Sequence, residues 1–236
     1  MIVTIDGPAG TGKSSVARAV AERLGFDFLD TGAMYRAVAL EAVRRGTDLA
    51  DARGLAFVAR HARVTFDFSK RPPTVLLSGE PVGHLLRSGE VTRAASYVAV
   101  VPAVRGLLVR RQREIAAARA NLVTEGRDQG TVVFPTAALK VYLDADPEER
   151  ARRRVAQLRA RGEVVEFRDV LDGIVARDTR DSTRAVGPLA AAVDAVRVDT
   201  SRMTEPQVVD HIVDLARRAG AAAPASVPAP TAGAAR

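Results

Sequence analysis

An α/β fold, a parallel sheet covered by helices on both faces, is what this sequence predicts, and three observations predict it. Short β-branched runs alternate with stretches of apolar residues at helical spacing along most of the chain. The first such pair brackets the string GPAGTGKS, Gly7 to Ser14, a complete G-x-x-x-x-G-K-[ST] phosphate-binding loop. With 236 residues, 47% of them hydrophobic, the chain can fill the core of one large domain.

The run Ile2-Val3-Thr4-Ile5 reads as the first strand and ends at Asp6. Ser15 to Leu24 follows as a helix, with Val16, Ala19, Val20 and Leu24 on one face. Phe26 to Leu29 is the second strand, and Asp30 or Thr31 can cap the helix after it. Arg63 to Leu77 breaks the alternation, because VTFDF and TVLL flank the turn residues Ser69 to Pro73. This predicts a small antiparallel hairpin extending into the Ser78-Gly79 turn. A long helix, arginine-rich on one side, is expected from about Val104 to Ala120. Leu122 to Thr124, Lys140 to Leu143 and Ala195 to Val198 are the remaining strands. Glu149 to Arg184 reads as helix, break at Gly162, and a second helix dense in arginine. From Gly220 the Ala/Pro composition has no apolar periodicity and predicts a disordered tail.

The loop's spacing has a chemical reason. Its glycines let the backbone bring N–H groups onto phosphate oxygens, and the N-terminus of the next helix adds free donors. Gly7, Pro8, Ala9, Gly10, Thr11, Gly12, Lys13, Ser14 and Ser15 are therefore the expected ATP-phosphate site, with Lys13 at the β- and γ-phosphates and the Ser14 hydroxyl on Mg²⁺. Of the 35 basic residues only three are lysine, so the lysine at position 13 is informative: the loop needs a compact point charge.

Composition removes several alternatives. Zero cysteines exclude disulfides and thiolate chemistry, and His61, His84 and His211 are too scattered to be ligands. The longest apolar stretch, Tyr97 to Val104, is interrupted by Pro102 and falls short of a bilayer span, and nothing marks the chain for export. A net charge of +7 suits nucleic acid or a site for several phosphates; 4% aromatic content offers few stacking platforms and favours the second. Guanine-specific GTPases need an N-K-x-D base reader, which the single asparagine, Asn121, cannot supply. The acid ending the run Val141-Tyr142-Leu143-Asp144 is as readily an ordinary strand end as a motor-ATPase motif. A compact kinase with a small second substrate remains.

Two further segments carry anion-binding residues to strand carboxyl ends: Asp30-Thr31-Gly32-Ala33-Met34-Tyr35-Arg36 after the second strand, and Glu125-Gly126-Arg127-Asp128-Gln129-Gly130-Thr131 after the third. Together with AASYVAVVPAVR, LLVRRQR and RDTRDSTRAVGPL, in this order after GPAGTGKS, they form a series that resembles the motifs of bacterial cytidylate kinases over roughly residues 1–218.

The resemblance implies a P-loop NTPase-type sheet flanked by helices, with a small antiparallel insertion and a helical, Arg-rich lid. One kinase domain would span 1–219: core 1–30, 121–150 and 185–219, monophosphate-binding region about 31–120, lid about 151–184, with the tail at 220–236. It implies that Arg36 and Arg127 grip the phosphate of CMP, within a pocket that includes Thr31 and Tyr35. Ser96, Arg105, Asp128 and Arg184 would read cytosine, and Arg177 and Asp181 the sugar. Lys13, Arg127, Arg177 and Arg180 would be catalytic, with other lid arginines from Arg154 onward at the phosphates being exchanged. The implied partners are ATP, CMP or dCMP, and Mg²⁺, with no nucleic acid or membrane, for a cytoplasmic monomer. Thr31 replaces a frequent serine, and Gln129 and His84-Leu85-Leu86 depart from the family pattern where packing is at stake. Two other readings stay open: a kinase acting on a metabolite hydroxyl with Asp128 as base, and a non-enzymatic nucleic-acid-binding module.

Overall fold

β-Branched and apolar runs pair where their neighbours can cover both faces, and in the computed structural model, which describes residues 1–222, five of them form one sheet. The strands are β1 (Ile2–Asp6), β2 (Asp27–Asp30), β6 (Leu122–Gly126), β7 (Leu139–Asp144) and β8 (Val196–Asp199), in the order β2-β6-β1-β7-β8 and all parallel. The smaller sheet is antiparallel: β3 (Val64–Asp67), β4 (Thr74–Leu77) and β5 (Glu80–Pro81). Its third strand extends the expected hairpin, and Ser78 and Gly79, both at positive φ (52° and 88°), make the tight turn into it.

The helices are α1 (Lys13–Leu24), α2 (Thr31–Arg44), α3 (Ala52–His61), α4 (Gly89–Val98), α5 (Pro102–Ala117), α6 (Pro147–Arg159), α7 (Phe167–Thr183) and α8 (Glu205–Arg218). The expected long helix begins two residues early because Pro102 opens it, its missing N–H costing nothing at that position. Alternation along β1 decides the layers. Val3 and Ile5 join Val16, Val20 and Leu24 of α1 and Val209 and Ile212 of α8 in one core. The second core, on the opposite face, gathers Leu29 and Leu122 with α2, α4 and α5 and reaches the small sheet through Val64, Val75 and Leu77. Leu86 belongs to it, so the departure at His84-Leu85-Leu86 leaves a packed side chain facing inward.

All five parallel strands end on one edge, which places the loops after β1, β2 and β6 side by side. After β6 the chain makes one π-helical turn, Gln129–Val133, that periodicity does not announce. Gly162 stands between α6 and α7 at φ 80°, where the break was expected. At the other end, Gly220 and Ala221 complete the cap of α8, with the Ala221 N–H donating to the Ala216 carbonyl at 2.9 Å. The expected disordered tail otherwise lies, from residue 223, outside the described residues.

Candidate active site

The loop after β1 turns where a side chain cannot go. Gly7 has φ 148°, and a Cβ there would collide with the Leu143 carbonyl oxygen of β7. Gly12 precedes α1 in the left-handed conformation, and Lys13 opens the helix. The Lys13 ammonium donates to the Pro8 carbonyl at 2.5 Å and to Thr11 Oγ1 at 3.3 Å. Burial, and after it the Arg127 guanidinium, hold Lys13 well below the ordinary lysine range. Thr11 and Ser15 hydroxyls brace the loop through the Pro8 and Gly12 carbonyls at 3.2 and 3.0 Å.

Sequence reasoning gave Glu125 no role, yet the Ser14 hydroxyl donates to its carboxylate at 2.7 Å. Burial and the nearby Asp30 push the Glu125 carboxyl up. The acid at the end of β7, Asp144, is exposed, so the buried acid beside the loop comes from β6. Arg150 and Asp178 were also missed. Arg150 Nη1 donates to the Ala9 carbonyl at 3.0 Å, the Ala9 N–H donates to Asp178 Oδ1 at 3.1 Å, and the two side chains form an ion pair. From α6 and α7 they grip Ala9 by its N–H and its carbonyl, the two peptide units that flank it.

Across the crevice Asp30 caps α2, accepting from the Ala33 N–H at 2.7 Å, and pairs with Arg36 at 3.2 Å. The Thr31 hydroxyl donates to the Glu125 carbonyl at 2.7 Å, tying α2 to β6. Arg127 Nε donates to Asp181 at 2.9 Å, and Arg177 lies 4.0 Å from the same carboxylate. Burial, then Arg127, lower Arg177 to about 10.

Arg105 and Asp128 form an ion pair with side chains only 2% and 6% exposed. Arg184 stands 3.8 Å from Asp128 and 3.8 Å from Asp181, and its Nε donates to the Gly187 carbonyl at 2.5 Å. Gly187, at φ 59°, has no room for a Cβ because the Arg105–Asp128 pair lies directly against it. The Tyr35 ring sits 5.6 Å from the Arg105 guanidinium. Tyr35 Oη, Arg36 Nε, Arg105 Nε and Arg184 Nη2 are buried without a hydrogen-bond partner among the described residues. These atoms leave donors and an acceptor free for a group entering the crevice.

Residues from different elements are thus drawn to one crevice at the carboxyl ends of the strands, but not every expected residue joins them. Ser96 is half-buried on α4, one turn before Ala99, whose carbonyl accepts from Arg105 at 3.3 Å. Arg180 is exposed on α7, and Arg154 is half-buried with Arg161, Arg87 and Arg36 close enough to lower it further after burial. His61, His84 and His211 are exposed and apart, and no cluster of three His, Cys, Asp or Glu suited to a metal occurs among the described residues. No single helix there is long and apolar enough to cross a membrane.

Comparison with known proteins bears on this geometry. A family model described as "Cytidylate kinase" matches residues 3–218. A cytidylate kinase of Mycolicibacterium paratuberculosis is 50% identical over 218 residues, 92% of this chain and 96% of that protein. One of Pelotomaculum thermopropionicum is 50% identical, covering 89% of this chain and 93% of its own length. Among solved structures, a shikimate kinase from Bacteroides thetaiotaomicron superposes with a TM-score of 0.46 at 14% identity, over 92% of this chain and 98% of that one.

Proposed function

The chain belongs to the cytidylate kinase family, and on that premise we propose that it transfers the γ-phosphoryl group of ATP to CMP or dCMP, giving ADP and CDP or dCDP. The observation that carries this reading is the buried Arg105–Asp128 pair, flanked by Arg184 and the unpartnered Tyr35 hydroxyl, in the same crevice as the Lys13 loop.

Cytosine offers a donor amino group and acceptors at O2 and N3. Asp128 suits the first, and Arg105, Arg184 and Ser96 suit the others. Uracil would set a carbonyl oxygen against the carboxylate, and that mismatch is the source of discrimination. Arg36 and Arg127 hold the monophosphate, with Thr31 fixing the helix that carries Tyr35 and Arg36. Arg177 and Asp181 orient the sugar and Arg177 also serves the phosphates in exchange, whereas Arg154 and Arg180 stand outside the crevice here and reach those phosphates only on closure of the lid that carries them.

The accepting phosphate oxygen is already ionised at neutral pH, so no general base is required. Catalysis is then positioning plus stabilisation of charge spread over the equatorial oxygens. Lys13 and the amides of Gly10 to Ser15 supply it at the donor, and Arg127 and Arg177 between donor and acceptor. Phosphate oxygens beside Lys13 favour its charged form, against the burial and the Arg127 repulsion that lower it. The Ser14 hydroxyl and Glu125 carboxylate are hard oxygen donors beside the loop, and one or two such groups with substrate phosphates are the usual set for Mg²⁺. These residues fit the ion and would hold it; when bound it neutralises charge on the β- and γ-phosphate oxygens.

A hydroxyl-directed kinase would need Asp128 free to take a proton, whereas both its oxygens face guanidinium groups. Phosphorus NMR of the products separates the two reactions. ATP and CMP should yield only diphosphates; a phosphate monoester formed on a metabolite hydroxyl would overturn the assignment.

A further inference from the structure

The Asp6 side chain, at the last position of β1, is buried and reaches across to the segment after β6. One oxygen accepts the Gln129 N–H at 2.9 Å and the other the Gly130 N–H at 2.7 Å, across 123 and 124 residues of chain. Those two amides open the π-helical turn, where backbone donors lack partners of their own, and the residues just before them are Arg127 and Asp128. The turn is pinned from two further sides. The Thr124 hydroxyl of β6 donates to Gln129 Oε1 at 3.0 Å, and Gln129 Nε2 donates to Gln112 Oε1 at 3.1 Å, on the helix that carries Arg105. The departure at Gln129 is therefore a satisfied polar contact inside the core.

We propose that Asp6 is a positioning residue for CMP recognition: its carboxylate fixes the turn so that Arg127 meets the monophosphate and Asp128 stays paired with Arg105 at the base. Asp6 touches neither nucleotide. Two hydrogen bonds accepted by one carboxyl group, one at each oxygen, set both the height and the twist of the turn, which a single bond would leave free to rotate. Asn at this position keeps one acceptor and turns an N–H₂ toward the second amide; Ala keeps none. The inference rests on CMP being the ligand of Arg127 and Asp128.

The test compares Asp6→Asn, Asp6→Ala and, as a control for general loss of stability on the same strand, Val3→Ala. The expected order of KM for CMP is wild type, Asn, Ala, rising about tenfold at each step, while KM for ATP moves less than threefold and Val3→Ala shows no such split. Equal changes for both substrates, or none, would overturn the proposal. A reading independent of any variant comes from amide exchange in the wild-type protein. CMP should slow exchange at Gln129 and Gly130 and a non-hydrolysable ATP analogue should not; unchanged exchange with CMP bound would overturn the proposal even if the variants fail to fold. Should wild type bind no CMP at all, it is the substrate assignment that falls.

Discussion

The Ser14 hydroxyl and the Glu125 carboxylate meet at 2.7 Å although 111 residues separate them, because β1 and β6 are neighbours in the sheet and end level. The contact joins the Gly7–Ser14 loop to the segment that continues into Arg127 and Asp128. Glu125→Gln keeps the hydrogen bond and removes the charge. The Mg²⁺ concentration giving half-maximal rate should rise roughly tenfold, in the range typical for groups that support a metal ligand. Rate against free Mg²⁺, with Mn²⁺ binding to the ATP complex measured by electron paramagnetic resonance, checks this; unchanged dependence in both contradicts it.

Lys13→Ala and Lys13→Arg should each lower kcat by ~10²–10³, the usual loss for one preorganised charge contact. The guanidinium fork does not fit a space in which the ammonium already contacts Pro8 and Thr11. Steady-state turnover of the purified Arg variant is the measurement, and a rate near wild type would remove Lys13 from the mechanism.

Asp128→Ala should change the ratio of kcat/KM for CMP over UMP, since it removes the acceptor for the amino group and the repulsion of the uracil carbonyl. It also leaves Arg105 buried without its carboxylate, so stability should fall by about 3–5 kcal/mol. An equal fall in kcat/KM for both nucleotides points to a structural role alone.

Burial pushes the Asp6 carboxyl up to about 7 from 3.8, against the Gly130 and Gln129 amides, which pull it down. The folded chain thus binds a proton that the unfolded chain has released over this range. Asp6 contributes stability that is fully present below pH 3.8 and is lost as pH rises through about 7. At 1.36 kcal/mol per unit the full span amounts to about 4 kcal/mol. The melting temperature of wild type relative to Asp6→Asn should therefore be higher at pH 5 than at pH 8. A difference independent of pH would show that Asp6 titrates with its ordinary value.

What could be read from the sequence was what short spacings encode. The phosphate loop needs eight consecutive residues, and the caps of α2 and the break at Gly162 need only local backbone chemistry. Arg127 and Asp128 could be located because a strand precedes them. Glu125, Asp6, Arg150 and Asp178 could not be assigned, since the contacts that place them at the loop and the turn reach partners 111 to 169 residues away. Only the strand order β2-β6-β1-β7-β8 and the docking of α6 and α7 bring them together. β5 has two residues and no period to detect, and the π-helical turn depends on an acceptor from another strand. Arg180, grouped with Arg177 by the family resemblance, falls on an exposed position of α7.

The central claim is that this site phosphorylates cytidine monophosphates, and an ADP-release assay coupled to NADH oxidation, run with ATP and Mg²⁺ across CMP, dCMP, UMP, AMP, GMP and dTMP, tests it most directly. The account predicts the highest kcat/KM for CMP and dCMP, with UMP lower by about 10²-fold or more and the purines lower still. A kcat/KM for UMP or AMP equal to that for CMP would contradict it.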